Sequence, residues 1–412
     1  MTRSSIPLLF FSAFALLDFS QVQAASSGLI VTFDNIPNRI RRDNPDLAAA
    51  RLRVKEALGR MNQAGRRSNP ELEGGVEGNH HFREGKLEIG ISQRFPVTDR
   101  LRLEKDISLI ELRAAETEIK EVERRLVTEA RTALVKVLAL RQQRLLREKQ
   151  AGVSKKLAAF IGESARKGEH SALDAGQAKL EAARFASEIR QLVANEIALV
   201  GILKPLLGMR ITDALNVSGT LPSATLPAGV IDPNRRPDYR AAQLAAQAAR
   251  QGVELEKARR YEDVEAGIVA GVERTEDAPE GFENEGIIGL RVKLALPFWD
   301  KNEGNIQAAQ ARAERKEKET SALAHTIRHE ADSARKEMVE WIRMLAEIND
   351  NLLPLAAEQA ANAESAYHEG FSDLQSILRA REQELELASS RIEALQNFHL
   401  ARVRFEAAVA NP

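Results

Sequence analysis

Residues 86–98 read KLEIGISQRFPVT, and residues 286–300 read GIIGLRVKLALPFWD. Within them, over 86–92 and 288–296, large apolar side chains alternate with polar side chains, glycine or alanine. This is the period of two expected of a β-strand whose faces meet different surroundings. In each stretch the alternation ends at a proline, Pro96 or Pro297. The first stretch leads into residues 98–164, which contain no proline. The pattern therefore predicts a strand that leads directly into a long helix, twice in one chain.

Other landmarks support an internal duplication. Residues 44–47 (NPDL) resemble residues 236–239 (RPDY) at an offset of 192, and residues 95–99 (FPVTD) resemble residues 296–300 (LPFWD) at an offset of 201. The difference, 201 − 192 = 9, puts about nine extra residues between the landmarks of the second copy. We expect them in the acidic stretch from Thr275 to Glu285, as an exposed hairpin loop.

The long helices carry an apolar seam that repeats every 3.5 residues, the coiled-coil period. In the first copy the seam is Ile119, Val122, Leu126, Ala130, Ala133, Val137 and Leu140. At an offset of 201 it becomes Thr320, Leu323, Ile327, Ala331, Ala334, Met338 and Trp341. Glycines amid polar residues, Gly168 and Gly370, predict tight turns into returning helices at about 171–207 and 373–410. Pro354 should kink the second long helix or divide it.

These features predict the order of the chain. Residues 1–24 read as a signal peptide, since Arg3 precedes an apolar run and Val22-Gln23-Ala24 resembles a cleavage site. Residues 25–207 form a first repeat of a helix, a hairpin at about 71–96, a long helix, a turn near 168 and a returning helix. Residues 208–235 form a linker. Residues 236–412 form the second repeat, with its hairpin at about 263–297 and its turn near 370.

The four predicted strands are about as long as bilayer-crossing strands. We expect Leu290, Val292 and Leu294 to face lipid, and Arg291 and Lys293 to face a water-filled lumen. A half-buried sheet on a soluble core would show a similar alternation. Four strands cannot close a barrel, and lipid tolerates no open sheet edge. If the strands cross a membrane, several chains must therefore share one barrel.

Composition excludes several classes of function. The chain of 412 residues has 59 basic and 60 acidic residues, a net charge of −1, which argues against a nucleic-acid-binding protein. It has no cysteine, so disulfides, thiolate metal sites and cysteine nucleophiles are excluded. No run of 18 apolar residues follows residue 24, so no transmembrane helix is expected.

Histidines are the candidate metal ligands. His325 and His329 lie four residues apart on one helical face, a spacing that could hold zinc, but no third ligand is implied, and a solvated helix face explains them as well. His170 and His368 each lie in a predicted turn. In an assembly of several chains they could form a ring of histidines, or simply be exposed. We find no catalytic motif, and we expect no enzyme activity and no cofactor.

The order of elements and several motifs resemble the TolC-type outer-membrane factors, the outer membrane efflux proteins. The motifs are residues 44–47, residues 69–72 (NPEL) and residues 296–306 (LPFWDKNEGNI), the last followed by alanines. Residues 69–72 and 296–306 look most like the CzcC branch, which is associated with cobalt–zinc–cadmium efflux.

The resemblance implies a mainly α fold with a β-barrel portion, built on a duplicated hairpin-plus-long-helix unit. In a homotrimer, three chains would form a 12-stranded barrel in outer-membrane lipid, continued by an α-helical coiled-coil barrel in the periplasm. It implies a passive exit duct for heavy-metal cations or drugs. The partners would be a periplasmic adaptor (a membrane fusion protein) and an inner-membrane pump of the RND type.

The resemblance also implies roles at the tip. Tyr367 and Asp174, beside Gly370 and Gly168, match a pair that holds the tip closed in the family. Ser372, Ser376 and Arg379 depart from the family's gate arginine and acidic pore ring.

Two other functions stay open from the sequence. One is a type I secretion duct for a polypeptide. The other is a soluble periplasmic coiled-coil adaptor or scaffold, against which the duplicated hairpin argues.

Overall fold

The computed structural model describes residues 29–81, 83–168, 171–277 and 279–410. The expected signal peptide at 1–24 lies outside these residues. The described chain consists of two similar halves, each with a β-hairpin followed by an antiparallel pair of long helices. Where the structure describes the chain, no helix is both long and apolar enough to cross a bilayer.

The first half begins with a short strand and two helices, which lead to the first hairpin and its helices. Its elements are β1 (Leu29–Val31), α1 (Ile36–Asp43), α2 (Pro45–Gln63), β2 (Glu71–Gly78), β3 (Gly85–Phe95), α3 (Arg100–Lys167) and α4 (Ala172–Leu206).

The second half repeats this order after a connecting segment that contains β4 (Leu215–Val217) and a 3-10 turn (Pro233–Arg235). Its main elements are α5 (Pro237–Ala258), β5 (Val264–Asp277), β6 (Gly281–Lys293), α6 (Glu303–Glu347), α7 (Leu353–His368) and α8 (Leu374–Ala408).

The helix expected over 98–164 is observed as α3, which runs for 68 residues without interruption. At a rise of 1.5 Å per residue, this helix is about 100 Å long. It ends at Gly168, whose φ of 83° is the left-handed conformation that favours glycine at a helix C-terminus. Its last turn carries Arg166 and Lys167, whose charges suit the negative end of the helix dipole.

The corresponding helix of the second half is divided in two. A single π-turn (Ile348–Leu352) separates α6 from α7, and the Leu353 amide donates to the Ile348 carbonyl. Pro354 explains this turn, since it has no amide hydrogen and its ring would clash with the carbonyl of Asp350 in a regular α-helix. The expected division at Pro354 is therefore observed just before the proline.

The apolar seam of the long helices is buried as expected. Ala130 and Val137 of α3, and Ile327, Ala331 and Met338 of α6, are inaccessible to solvent. α3 also buries a second face, which the seam did not predict. That face packs against α1, α4, β4 and α8 through Leu134, Val135, Leu138 and Ala139.

The segment predicted as a linker, 208–235, is partly ordered into the core. β4 pairs in parallel with β1, and Val217 and Leu221 are buried. Arg141 of α3 donates a hydrogen bond to the Val217 carbonyl and also pairs with Glu196 of α4 at 2.6 Å. The glycines and prolines of 208–235 thus correctly predicted that this segment has no long helix or strand. They did not predict that part of it packs into the core.

Candidate functional site: an amphipathic sheet and a helix-turn cluster

A four-stranded antiparallel sheet joins the two halves, in the order β2-β3-β5-β6. β3 and β5 pair from Gly85 opposite Arg274 to Phe95 opposite Val264. β2 and β6 form the two edges of the sheet. An edge strand presents a row of backbone hydrogen-bonding groups to another strand, so this sheet is open at both sides within one chain.

One face of the sheet is apolar along the alternating register. One row across the four strands contains Leu72, Ile91, Ile268 and Leu290, and the next contains Gly74, Ile89, Ala270 and Ile288. Ile288 and Leu290 are each 85% exposed within the single chain. An apolar face of this extent is typical of a surface covered by a membrane or by another protein. Leu290 and Val292 lie on it as expected, whereas Leu294 follows the end of β6.

The opposite face is charged. From the row of Glu265 to the row of Glu283, it carries eight glutamates and four basic residues, a net charge of 4 − 8 = −4 for one chain. The glutamates are Glu71, Glu73, Glu77, Glu88, Glu265, Glu273, Glu283 and Glu285, and the basic residues are Lys86, Arg94, Arg291 and Lys293. Arg291 and Lys293 therefore lie on the polar face, as expected.

Polar side chains converge across this face. Nη1 of Arg291 on β6 lies 2.9 Å from Oε2 of Glu73 on β2, although two strands stand between them. Neighbouring strands are spaced by about 4.8 Å, so these two backbones would be about 14 Å apart in a flat sheet. Arg94 similarly lies within reach of both Glu71 and Glu265, at 3.3 and 3.4 Å. The charged side chains thus interact with one another on the side away from the apolar rows.

The acidic stretch from Thr275 to Glu285 is mostly strand, so the expectation of a long loop was wrong. β5 continues to Asp277 and β6 begins at Gly281, with Thr275 paired to Glu283. Strand pairing tolerates these carboxylates because this end of the hairpin is open to solvent. The extra residues therefore lengthen the strands: β5 and β6 have 14 and 13 residues, compared with 8 and 11 for β2 and β3.

At the other end of the helices, the two interhelical turns lie close together. Gly168 and Gly370 have φ values of 83° and 79°, which allow each descending helix to stop sharply. The returning helices are capped at their N-termini: Ser171 accepts a hydrogen bond from the Leu173 amide, and Asp373 accepts one from the Ser376 amide.

Tyr367 lies inside this helix-turn cluster. It is 9% exposed and packs with apolar residues of the three other converging helices, α3, α4 and α8, which are Ala158, Ile161, Ala175, Ala178, Leu374 and Ile377. Burial of the phenol, and then the nearby charge of Asp174, raise the pKa of Tyr367 above its usual value. The structure therefore brings Tyr367 and Asp174 into one electrostatic environment. Asp174 itself lies in the first turn of α4, where Ser171 is the capping residue.

Two further contacts join the helix pair α3/α4 to the helix pair α7/α8, a few residues beyond the turns. Gln375 of α8 donates to Gln177 of α4 at 3.5 Å, and Arg184 of α4 lies 3.5 Å from Glu382 of α8. Both are long and exposed, so each contributes little to stability. The buried apolar cluster that includes Tyr367 therefore provides the packing between the two helical hairpins in this region.

Ser376 and Arg379 belong to the N-terminal region of α8. Ser376 donates its hydroxyl to the Asp373 carboxylate at 2.6 Å, and its amide donates to the same group. These hydrogen bonds, together with the positive charge of Arg379, lower the pKa of Asp373. Ser376 and Arg379 thus both stabilise the ionised carboxylate of Asp373.

The histidine candidates form no metal site within the part of the chain that is described. The rings of His325 and His329 are 4.4 Å apart on exposed turns of α6, and no group of three metal-ligating side chains occurs among the described residues. The neighbouring Glu330 is bound to Arg236, Nη1–Oε2 2.7 Å. His170 lies outside the described residues, and His368 is the last residue of α7.

Sequence reasoning missed the buried ion pair at the start of α5. Arg236, 7% exposed at its side chain, contacts Asp238 and Glu330. Burial opposes the charged forms, yet these contacts raise the pKa of Arg236 and lower that of Asp238. The equivalent residue of the first copy, Asn44, instead caps α2 and donates to the Leu206 carbonyl. The similarity of residues 44–47 and 236–239 drew attention to these positions, but it did not reveal that Glu330 is an ionic partner of Arg236.

A second missed group is His399 in α8, which is buried against the connecting segment. Its Nε2 lies 2.9 Å from the carbonyl oxygen of Pro222. Burial lowers the pKa of His399, and the charge of Arg402 lowers it further, while the Pro222 contact and Glu406 oppose the shift. His399 therefore stabilises the packing of 208–235 on α8 mainly in its neutral form.

Comparison with known proteins supports this description. Residues 36–196 match a family model described as outer membrane efflux protein. That family is broader than the CzcC branch. No curated protein matches the chain.

Several solved structures share the fold over nearly the whole chain. VceC, an outer membrane protein of Vibrio cholerae, has a TM-score of 0.75 and 19% identity, covering 92% of this chain and 95% of VceC. The outer-membrane channel OprN has a TM-score of 0.76 and 18% identity, covering 92% and 90%. The CmeC outer membrane channel of Campylobacter jejuni has a TM-score of 0.73 and 14% identity, covering 99% and 94%.

These structures match both the hairpin sheet and the paired long helices, since the alignments span both halves. The chain therefore has the fold of outer-membrane channels, and its residues 36–196 match the family model described as outer membrane efflux protein.

Proposed function

We propose that this protein is an outer-membrane channel that extends into the periplasm and serves as a passive exit duct. The observation that carries the proposal is the open four-stranded sheet, with one exposed apolar face and one charged face, on a fold shared with outer-membrane channels. Lipid tolerates no unpaired sheet edge. Pairing β2 of one copy with β6 of the next would remove both edges.

The proposed assembly is a homotrimer. Three sheets of four strands would give a 12-stranded barrel, an even-numbered size within the range of outer-membrane barrels. The apolar rows would face lipid and the charged face the lumen. The long helices would continue the barrel through the periplasm, with Tyr367 and Asp174 near its closed end as a gate contact.

The proposed channel would be a passive conduit, so the energy for transport would come from partner proteins. We propose a periplasmic adaptor that docks at the turn end and an inner-membrane pump of the RND type. The proposed cargo is heavy-metal cations or drugs, with the CzcC-like metal branch as the more specific case. The resemblance of residues 69–72 and 296–306 supports this branch.

The assembly is tested by expressing the full chain in a Gram-negative host and separating the membranes. We expect an outer-membrane trimer that dissociates only on heating in dodecyl sulfate, and discrete conductance in planar bilayers. A monomer recovered from the soluble periplasm would contradict the proposal and support the scaffold interpretation.

The cargo is tested separately, in a host that lacks its own efflux channel but carries a matching pump and adaptor. Restored resistance to cobalt, zinc and cadmium salts would support metal efflux, and restored drug resistance would support drug efflux. Export of a polypeptide, without either resistance, would instead support a type I secretion duct.

A further inference from the structure

A cavity of about 340 Å³ lies where the first half of the chain meets the second. Its walls come from α1 and the middle of α3, from the end of α8, and from the start of α5 with the turn before it. None of the residues that line it belongs to the four-stranded sheet or to the helix-turn cluster. Small-molecule sites have volumes of about 300–1,000 Å³, so this cavity is large enough for a compact ligand.

The cavity is strongly basic. Five basic and two acidic side chains line it, a net charge of 5 − 2 = +3. This concentration of positive charge does not reflect the composition of the chain, whose net charge is −1. The basic residues are Arg41, Lys120, Arg124, Arg131 and Arg235, and the acidic residues are Glu123 and Glu406.

Ion pairs within the protein balance only part of this positive charge. Arg41 pairs with Glu123. Glu406 is shared between Arg131 at 3.4 Å and Arg402 at 2.8 Å. Both acidic side chains of the cavity are therefore already paired with arginines. A ligand that brings its own negative charge would complement the cations that remain.

Three basic groups of the cavity have hydrogen-bonding capacity left. Lys120 and Arg235 are exposed, and their side chains make no hydrogen bond or ion pair with any residue that the structure describes. Arg131 is 13% exposed at its side chain, and its Nε is buried without an acceptor among the described residues. Buried donors are normally paired, because an unpaired one has lost its water without a replacement. An acceptor oxygen bound at Arg131 would supply the missing partner.

An apolar surface lies beside these charges. Val127 of α3 and Val403 of α8 are buried, and Pro237 and Ala407 also line the cavity. An inorganic anion would make no use of this surface, and a cation would be repelled by the surrounding charges. Guanidinium groups next to apolar side chains therefore suit an organic anion.

We propose that this cavity binds a small organic anion that carries a carboxylate or a phosphate group. The acidic group contacts Arg131 and Arg235, because a planar guanidinium can donate two parallel hydrogen bonds to such oxygens. The apolar group packs against Val127 and Val403. The cavity is too small to enclose the two acyl chains of a phospholipid, so the ligand is a compact molecule. This inference does not rest on the proposed channel function.

The test is calorimetric titration of the full-length protein in detergent with phenyl phosphate and with benzoate, each an acidic group on one aromatic ring. We expect saturable binding at one site per chain. The affinity should be at least about tenfold higher than for inorganic phosphate or acetate, because burial of the ring adds to the charged contacts. Benzyltrimethylammonium, a cation of similar size, should not bind. Failure of both aromatic anions to bind would overturn the proposal, and so would equal affinity for the inorganic ion.

Two variants locate the binding. Lys120→Gln combined with Arg235→Gln changes exposed, unpaired side chains and should weaken binding about tenfold without lowering the melting temperature. Arg125→Gln is the matched control, since Arg125 is an exposed arginine of α3 that does not line the cavity. It should change the affinity by less than about twofold. Equal weakening by the double variant and the control would show non-specific attraction to a basic surface and would overturn the site.

A third variant tests the apolar part separately. Ala407→Phe narrows the cavity and keeps all five basic residues. It should weaken the binding of phenyl phosphate to the level of inorganic phosphate. Undiminished binding of phenyl phosphate in this variant would place the ring outside the cavity and contradict the proposal.

A lipid headgroup could offer the same phosphate chemistry, so dioctanoyl phosphatidic acid is the last probe. It should bind no more tightly than phenyl phosphate, because its chains exceed the cavity. Tighter binding that is lost in the Lys120→Gln, Arg235→Gln variant would assign the cavity to a lipid headgroup and overturn the compact ligand. None of these titrations requires a bilayer or a conducting pore, so their failure would leave the channel proposal standing.

Discussion

Arg236 joins the beginning of α5 to the middle of α6, with its Nη1 2.7 Å from Oε2 of Glu330. Asp238, two residues further along α5, binds the same guanidinium. The Arg236 guanidinium is almost fully buried, and its positive charge is balanced by Asp238 of α5 and Glu330 of α6. A second Arg–Glu pair joins the same two helices at the surface, Arg250 with Glu317, also at 2.7 Å. The two pairs have the same shortest N···O distance and differ in burial.

This difference gives the first prediction. Arg236→Ala should lower the free energy of unfolding by about 3 kcal/mol, because it leaves Asp238 without its buried partner. Arg250→Ala should lower it by less than about 1 kcal/mol, since solvent screens that pair. Thermal unfolding of the two purified variants in the same detergent measures both. Equal losses would show that burial does not control the strength of these pairs.

The second prediction concerns two adjacent isoleucines on opposite faces of β6. Ile288 lies in an apolar row, whereas Ile287 lies on the charged face, in the row of Glu88. Ile288→Arg should destabilise the inserted channel by about 2–4 kcal/mol if the residue lies near the bilayer midplane. Ile287→Arg should assemble normally. Assembly is read from the heat-sensitive trimer band, and the reverse result would show that the faces are exchanged.

The third prediction concerns the helix-turn cluster. A phenol that donates to a carboxylate contributes roughly 1.5–3 kcal/mol when it is partly shielded from water. Tyr367→Phe combined with Asp174→Ala should therefore raise single-channel conductance by weakening the closed state. Gln177→Ala combined with Gln375→Ala removes only the long exposed contact and should leave conductance unchanged. If the first variant conducts like the wild type, Tyr367 has a packing role only.

The fourth prediction is a pH dependence from His399. Its pKa is lowered in the folded protein, so the unfolded chain binds the proton more readily. The stabilisation is present above the ordinary histidine pKa of 6.5 and is lost as the pH falls below it through the lower folded value. The melting temperature should therefore fall on acidification, and fall less in His399→Gln. An identical pH profile for the variant would assign the loss to other groups.

The fifth prediction concerns ion selectivity. Between the rows of Glu265 and Glu283 the charged face has a net charge of −4 per chain, so a lumen lined by it should favour cations over anions. Glu273→Gln should reduce this preference and Lys86→Gln should increase it, although the two residues are paired on adjacent strands. Reversal potentials across a salt gradient measure both shifts. Shifts in the same direction for the two variants would contradict a lumen location.

Periodicity predicted the regular parts of this fold because the same physical requirement recurs along them. A helix that packs along its whole length must place an apolar group every third or fourth residue, as Leu126 to Val137 do. A strand whose two faces meet different surroundings must alternate, as residues 288–293 do. The faces and the helices could therefore be predicted from the sequence.

Features that depend on a distant partner could not be predicted in this way. Ile287 breaks the alternation without changing the face of its neighbours, and strand pairing extends through the glutamates at 276 and 283. Arg236 meets Glu330 only because α5 and α6 pack together, 94 residues apart in the chain. At the helix-turn cluster, Tyr367 and Asp174 were identified through the family resemblance. That they lie close together became visible only in the folded structure.

The π-turn before Pro354 makes the two hairpins mechanically unequal. α3 is a continuous rod, whereas its counterpart has a joint between α6 and α7, where the regular hydrogen-bond pattern is already rearranged. Bending at this joint disrupts fewer α-helical hydrogen bonds than bending α3. In a ring of three copies, stiff and jointed hairpins would alternate. Bending of such a ring would then be concentrated at its three π-turns, while the three α3 helices stay straight.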